Sequence, residues 1–173
     1  MPDALGLERT TVALRPYDAR WAELFEGERA RLRGALGNDI LAVEHIGSTS
    51  VPGLTAKPIL DIGVAVNGFE AAFALVPRVE ALGYTFRGEQ GIPRRHYFVQ
   101  GPEERRTHHL HMLEHTNPEW RDLLLFRDRL RAQPETVRAY EALKRELAER
   151  YSNDREAYTN GKYSFIRAVL GRD

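Results

Sequence analysis

The sequence predicts a mixed α+β (α/β) fold, in which helices flank a mixed β-sheet and a C-terminal helical cluster follows. Two patterns predict it: residues 41–113 contain several short runs with strand periodicity, whereas apolar residues from Asn117 onward recur at helical spacing. The length of 173 residues suits one domain. We therefore expect a single domain over residues 1–173, with residues 1–9 as a loose terminus and residues 117–170 as the C-terminal helices.

The first secondary-structure elements can be assigned from helix-capping residues and from apolar residues that share one helix face. Residues 11–14 favour a short strand, and Asp18 is a suitable N-cap for the helix that follows. That helix should end at Gly37-Asn38. Its apolar stripe comprises Trp21, Leu24, Phe25, Leu32 and Leu36. Two strands are predicted next, over residues 41–46 and 59–66.

A second helix should follow the turn at Asn67-Gly68, and Pro77 should kink or divide it. Its stripe comprises Phe69, Phe73, Val76, Val79 and Leu82. Three further strands are predicted over residues 85–87, 94–100 and 107–113.

The C-terminal part should be helical throughout. Asn117 offers a cap, and Pro118 occupies the first helical position, where proline is well tolerated. A second helix should open near Pro134, and a third is predicted over residues 154–170.

The composition excludes several classes of protein. Lys plus Arg and Asp plus Glu number 25 each, so the formal net charge is zero, whereas proteins that neutralise nucleic-acid phosphates are usually basic. The absence of cysteine excludes disulfides and cysteine-ligated zinc. The N-terminus lacks a signal-peptide pattern, and no apolar run reaches ~18 residues. We therefore expect a cytoplasmic protein without a membrane partner, and nucleic acid is disfavoured as a partner.

The segment from residue 44 to residue 66 has the most specific pattern. A strand ends in Gly47-Ser48-Thr49, and the next strand contains a single acid, Asp61. Small residues let backbone amides approach a phosphate, and a neighbouring carboxylate can hold the accompanying metal. The alternatives are an ordinary turn and an acid at a strand edge that pairs with Lys57. His45 is interpreted as a structural, hydrogen-bonded histidine.

A second group of polar residues lies on the strand predicted over residues 107–113. Strand alternation places His109 and His111 on the face opposite Leu110 and Met112. Together with Asp61, the two histidines could form a two-histidine, one-carboxylate site suited to Mn, Fe or Zn. The alternative is a pair of half-exposed histidines that form hydrogen bonds with their neighbours.

A third group lies on the last predicted helix. Tyr158, Lys162, Phe165 and Val169 share one stripe. A lysine on a stripe that packs inward must either extend to water or meet an anion, and both alternatives remain open. Gly161 costs the helix up to ~1 kcal/mol, which close approach of a ligand or of another backbone could offset.

These motifs resemble the GrpB family, a bacterial group assigned to the nucleotidyltransferase superfamily. The resemblance extends from Val12 to Leu170 and depends on EHIGSTSVPGLTAKPILDI, THHLHML and AYTNGKYSFI. It implies a nucleotidyltransferase-like mixed sheet with flanking helices, and an active-site cleft between the sheet and the C-terminal helices.

The superfamily pattern has a glycine-serine pair, then acid-x-acid on the next strand and a third acid on a later strand, which together hold two metals. Gly47 and Ser48 match the pair and Asp61 matches the first acid, but Gly63 stands in the place of the second. His109 and His111 stand where the third acid would fall. Either the site uses a different metal with the histidines, or it binds nucleotide without transferring it.

The resemblance implies a nucleoside triphosphate as ligand or substrate. Gly47, Ser48 and Thr49 would cradle its phosphates, and Lys57, Tyr158 and Lys162 would contact the phosphate oxygens. A divalent metal, Mg or Mn and less readily another transition metal, would lie on Asp61, His109 and His111. The catalytic candidates are Ser48, Asp61, His109 and His111.

Three functions remain as hypotheses. The first is transfer of a nucleotidyl or phosphoryl group to a small acceptor. The second is a nucleotide-binding or accessory module without catalysis, because the family also occurs fused to dephospho-coenzyme A kinase, near coenzyme A synthesis. The third is nucleic-acid binding, which the neutral charge places last. No protein partner can be named.

Overall fold

A computed structural model describes residues 3–172 and contains a five-stranded mixed sheet. Its strands are β1 (Ala42–Ile46), β2 (Leu60–Val66), β3 (Thr85–Phe86), β4 (Arg95–Gln100) and β5 (His108–Glu114). Their order across the sheet is β1-β2-β5-β4-β3. The central pair, β2 and β5, is parallel, and the other pairings are antiparallel. The predicted fold class is confirmed.

Helices cover both faces of this sheet. They are α1 (Arg20–Leu36), α2 (Phe69–Ala72), α3 (Val76–Glu80), α4 (Pro118–Ala132), α5 (Pro134–Arg150), α6 (Arg155–Gly161) and α7 (Tyr163–Val169). The main core joins α1, α2 and α3 to one face, through Leu60, Ile62, Val64 and Val66 of β2. On the opposite face, Trp120 of α4 packs against Ala65 and Leu113. Alternate residues of β2 therefore face opposite sides of the sheet.

One predicted strand is absent from the described residues, and two predicted helices are each divided into shorter ones. Residues 11–14 are not a strand, and the chain pairs instead through one bridge between Arg15 and Ala56. Pro77 divides the second predicted helix, because it lies in the first turn of α3 and not inside a longer helix. The third C-terminal helix is broken at Lys162 into α6 and α7.

Residues 3–9, expected as a loose terminus, are hydrogen bonded to the rest of the chain. The Gly6 amide donates to the Pro58 carbonyl at 2.9 Å, and the Leu7 amide donates to the Arg106 carbonyl at 3.0 Å. The Trp21 indole donates to the Ala4 carbonyl at 2.9 Å. Met1 and Pro2 lie outside the described residues, and the division of the chain into a single domain stays a prediction. None of the helices in residues 3–172 has the length and apolarity needed to cross a membrane.

Candidate functional site

The parallel pairing of β2 with β5 brings two predicted motifs together. Asp61 lies opposite His109 in the register, and Gly63 lies opposite His111. Because alternate residues of a strand share a face, the acid and both histidines lie on the face away from the main core. His109 Nδ1 is 3.3 Å from Asp61 Oδ1, and His111 Nε2 is 3.6 Å from the same oxygen.

The charge state of Asp61 follows from these contacts. Burial alone would raise the pKa of Asp61, but the nearby His109 and His111 imidazoles outweigh it and lower the pKa below its usual range. Burial lowers the pKa of His109, although Asp61 acts in the opposite direction. At pH 7 the carboxylate is therefore ionised and the His109 ring is neutral. The Nδ1 atom is the ring nitrogen next to Asp61, so the tautomer with its proton on Nδ1 is favoured and leaves the Nε2 lone pair available.

The tautomer of His111 is set by Arg95. The Arg95 guanidinium lies 3.1 Å from His111 Nδ1. Arginine has no acceptor, so Arg95 is the donor and His111 Nδ1 accepts. A neutral His111 ring must then hold its proton on Nε2, the nitrogen that faces Asp61. Arg95 is itself fixed by the Glu89 and Gln90 carbonyls, to which it donates at 3.1 and 2.9 Å.

This arrangement does not fit a metal held by Asp61, His109 and His111. A ligating histidine needs a free lone pair towards the metal and an N–H towards an acceptor, and Arg95 imposes the reverse on His111. In agreement, residues 3–172 contain no group of three His, Asp or Glu side chains placed to hold a metal ion. The expected three-residue ligand set therefore has no support from its donor atoms.

The Trp120 side chain fills the space beside Gly63, where the superfamily pattern has its second acid. A Cβ on Gly63 would lie 2.9 Å from the Trp120 ring and 3.5 Å from Ile46. Trp120 comes from α4 and packs against the sheet at this point. A carboxylate at residue 63 would therefore require Trp120 to move, so a second metal has neither a ligand nor space here.

The Gly47 turn packs directly on Asp61. Gly47 has φ of 70°, and a Cβ there would lie 2.6 Å from Asp61 Oδ2. Ser48 to Ser50 then form one 3₁₀ turn, and within residues 3–172 the amides of Ser48 and Thr49 donate to no other backbone group. Free amides beside a cavity suit phosphate oxygens.

Two hydroxyl groups of this turn form hydrogen bonds within the protein. The Thr49 hydroxyl is 2.9 Å from His45 Nε2, and the Ser50 hydroxyl donates to the Gly47 carbonyl at 2.5 Å. His45 is buried and stacks on Phe25, with 4.7 Å between ring centroids. Burial lowers the pKa of His45 to about 4, so the ring is neutral. The interpretation of His45 as structural agrees with these contacts.

Two lysine ammonium groups lie over the ring of Tyr158. Lys57 Nζ is 5.3 Å and Lys162 Nζ is 4.6 Å from the ring centroid, and Tyr158 itself is buried. Burial lowers the pKa of Lys57 to about 7, with Lys162 and Arg155 acting in the same direction and Asp61 opposing them. Burial lowers the pKa of Lys162 to about 8. In the described part of the chain, neither ammonium has an ion pair or a hydrogen bond.

A cavity of about 620 Å³ collects most of these groups, a volume typical of small-molecule sites. The predicted residues on its wall are Ser48, Thr49, Lys57, Asp61, His109 and Lys162. Gly47, His111 and Tyr158 lie behind that wall, where they contact residues on it. Gly161 approaches the side chain of Leu147 on α5, and not a ligand or a backbone.

The cavity wall has a large excess of positive charge. Its cations are Arg9, Lys57, Arg87, Arg106, Arg155 and Lys162, and its acids are Asp61 and Glu156. None of the four arginines was predicted as a site residue, because the N-terminal segment, the β3–β4 and β4–β5 connections and α6 meet only in the fold. Tyr97 and Gln90, which also line the cavity, were missed for the same reason.

Fold and site define a mixed α+β protein whose sheet and C-terminal helices enclose a cationic cavity. The family described as GrpB protein matches residues 11–172, and the chain belongs to that family. The resemblance seen in the sequence is thereby confirmed.

Individual relatives support the same conclusion. UPF0157 protein YqkA of Bacillus subtilis is 43% identical over 153 residues, which cover 88% of this chain and 44% of that protein. UPF0157 protein PA4798 of Pseudomonas aeruginosa is 42% identical over 160 residues, 91% of this chain and 65% of that protein. The chain thus spans less than two thirds of either relative.

The chain is also similar to a protein of known structure and to part of an enzyme. The crystal structure of conserved protein GrpB from Enterococcus faecalis matches with a TM-score of 0.84 and 38% identity, over 92% of this chain and 95% of that one. A dephospho-CoA kinase of Mycolicibacterium paratuberculosis is 28% identical over 191 residues, 96% of this chain and 47% of the kinase.

Proposed function

We propose that this protein binds a nucleoside triphosphate, or a closely similar phosphate-bearing small molecule, in the cationic cavity. The observation that supports it best is the imbalance of six cations against two acids on one concave wall. Arg9 pairs with Glu103 at 2.8 Å, but in residues 3–172 the other five cations form no ion pair. Like charges held together without compensating acids destabilise the free protein, and an anion relieves that repulsion. The formal net charge of the whole chain is zero, so the excess of positive charge is a local property of the cavity wall.

The ligand's phosphates would lie between the Gly47 turn and α6. The free amides of Ser48 and Thr49 would donate to one phosphate, and Lys57 and Lys162 would neutralise the chain of phosphates from the other side. Tyr158 holds both ammonium groups in place from behind. Arg155, whose guanidinium donates to the Thr11 carbonyl at 3.0 Å, extends the same wall.

Calorimetric titration with ATP, GTP and their diphosphates tests this proposal. We expect binding that weakens from triphosphate to diphosphate, and that falls at least tenfold in Lys162→Met. Arg138→Met is the matched control, because Arg138 is exposed on α5 and away from the cavity wall. No binding by any nucleotide, with both variants folded, would remove the proposal.

Transfer of a nucleotidyl group is a second candidate, and the Asp61–His109 pair favours it. Asp61 lies against the His109 imidazole, which lines the cavity and whose Nε2 has no hydrogen-bond partner in residues 3–172. Such a nitrogen could accept the proton of an acceptor hydroxyl while its oxygen attacks the α-phosphorus and pyrophosphate leaves. The missing second acid makes this chemistry slower than in two-metal enzymes.

Incubation with α-labelled ATP and a pool of small hydroxyl acceptors tests the transfer candidate. We expect a labelled ester and pyrophosphate, both lost in His109→Gln while nucleotide binding persists. If the wild type releases neither product across acceptors and added metals, the non-catalytic alternative stands: a nucleotide-binding accessory module. The kinase relative makes dephospho-coenzyme A the first acceptor to include, and nucleotide binding unchanged by Asp61→Ala would favour the accessory role.

A further inference from the structure

The distribution of lysine in this chain is far from random. Of the 25 Lys and Arg residues only three are lysine, namely Lys57, Lys144 and Lys162. Lys57 and Lys162 lie over Tyr158 on the cavity wall, while buried Lys144 donates to the Thr55 carbonyl and lies 5.0 Å from the Tyr140 ring. Burial lowers the pKa of Lys144 to about 7, and the charges of Lys162 and Lys57 also lower it. All three lysines therefore belong to one electrostatic cluster.

The side chains around Asp61 are not arranged as ligands of a divalent metal. Arg95 fixes His111 as a proton donor towards Asp61, and Trp120 fills the place of a second carboxylate beside Gly63. Asp61 thus has two imidazole nitrogens against its Oδ1 atom, at 3.3 and 3.6 Å, and it is the single carboxylate that the sheet contributes to the cavity wall.

We infer that the phosphates in this cavity are neutralised by Lys57 and Lys162, backed by Lys144 and Arg155, and not by a bound divalent metal. The inference rests on the proposed function and specifies its ligand as a metal-free polyphosphate ester or inorganic triphosphate. The clustered ammonium groups supply, from the protein, the positive charge that two metal ions supply elsewhere. A magnesium complex of the same ligand is less negative and is therefore the poorer ligand.

Titration of wild-type protein with ATP and with inorganic tripolyphosphate, in excess EDTA and in saturating MgCl₂, tests the inference. We expect binding in EDTA that is at least as tight as in magnesium, and about tenfold tighter for tripolyphosphate. Binding that requires magnesium or manganese overturns the inference and leaves the proposed function standing. Absence of binding in both conditions overturns both.

Substitutions at Asp61 separate the two modes further. Asp61→Asn keeps an acceptor oxygen for His109 and removes one negative charge from the wall. If the lysines hold the phosphates, tripolyphosphate binding in EDTA stays the same or tightens severalfold, whereas Lys57→Met weakens it at least tenfold. If a metal on Asp61 holds them, Asp61→Asn loses binding at least tenfold in magnesium, and that result refutes the inference. Circular dichroism confirms that each variant is folded, and Arg138→Met should bind as the wild type does.

Discussion

At the scale of single residues, two glycines determine what surrounds Asp61. Gly47 brings the backbone against Oδ2 of the carboxylate, and Gly63 leaves the space that the Trp120 ring occupies. Both contacts are closer than any side chain at those positions would permit. The Gly47 backbone and the two imidazoles therefore lie against the carboxylate, and the Trp120 ring fills the neighbouring place on the same face of β2.

Substitution of Gly47 by alanine should cost more stability than the same change at Gly53. Both residues have positive φ, 70° and 81°, but a Cβ at Gly53 meets nothing within 4 Å, whereas at Gly47 it meets Asp61 at 2.6 Å. We expect Gly53→Ala to lower the free energy of unfolding by about 1 kcal/mol from backbone strain alone, and Gly47→Ala by about 3 kcal/mol. Urea denaturation of both variants gives the comparison. Equal losses would mean that the Asp61 contact has no energetic weight.

Replacement of Lys57 by methionine should stabilise the ligand-free protein at neutral pH. Burial lowers the pKa of Lys57 to about 7, and the nearby charges of Lys162 and Arg155 add to this effect while Asp61 opposes it. An unfolded lysine has a pKa of about 10.4, so the unfolded chain binds more protons between about pH 7 and pH 10. The contribution of Lys57 to the free energy of unfolding is therefore unfavourable at and below pH 7 and improves as the pH rises through that window.

Urea denaturation of Lys57→Met and wild type at pH 7 and at pH 9.5 measures this effect. The variant should gain on the order of 1 kcal/mol at pH 7, and the difference should shrink at pH 9.5. A variant that is less stable than wild type at pH 7 would mean that the Lys57 ammonium is already compensated in the free protein.

At the scale of elements, the break between α6 and α7 positions the second ammonium. Lys162 lies between the two short helices, and its amide closes the last turn of α6 through the Thr159 carbonyl at 3.2 Å. Gly161 lets α6 approach α5 so closely that a Cβ there would lie 2.5 Å from Leu147 Cδ2. The position of Lys162 over Tyr158 thus depends on the packing of α6 against α5.

Alanine at Gly161 should destabilise the protein although alanine is the better helix former. The gain in helix propensity is at most about 1 kcal/mol, whereas overpacking against Leu147 costs about 1–3 kcal/mol. In a Leu147→Ala background the clash disappears, and the same substitution should become neutral or stabilising. A thermodynamic cycle of the two single variants and the double variant measures the sign change. If Gly161→Ala has the same effect in both backgrounds, the helices are not in the contact described.

Elements with a clear period were predictable from the sequence, and long-range pairings were not. Strand periodicity identified both β2 and β5, and alternation in β5 identified the shared face of His109 and His111. The strand predicted at residues 11–14 was wrong, because the apolar residues of this segment pack on the C-terminal helices and have no partner strand. Only three-dimensional contact could show that Arg95 sets the His111 tautomer, or that Trp120 from α4 fills the place beside Gly63.

At the scale of the whole molecule, charge is balanced overall and concentrated locally. Acidic and basic residues number 25 each, yet the cavity wall has six cations and two acids. Several arginines elsewhere pair with acids, as Arg94 does with Glu70 and Glu114, whereas on the wall only Arg9 has an ion pair in residues 3–172, with Glu103. A recessed, local excess of positive charge suits a small anion or a chain end, whereas a duplex needs an extended basic surface.

A nucleic-acid strand should therefore bind through a terminal triphosphate or not at all. We expect an RNA oligonucleotide with a 5′-triphosphate to bind in about 150 mM salt, and the same oligonucleotide with a 5′-hydroxyl, or a blunt duplex, to show no binding. The reason is that Lys57 and Lys162 lie on the wall of a concave cavity, which suits the end of a strand better than its internal phosphates. Fluorescence anisotropy with the three oligonucleotides measures it, and inorganic tripolyphosphate should displace the bound strand. Binding of the hydroxyl form or of the duplex with a steep dependence on salt would instead indicate a basic surface outside the cavity, and the local charge excess would no longer explain what the molecule recognises.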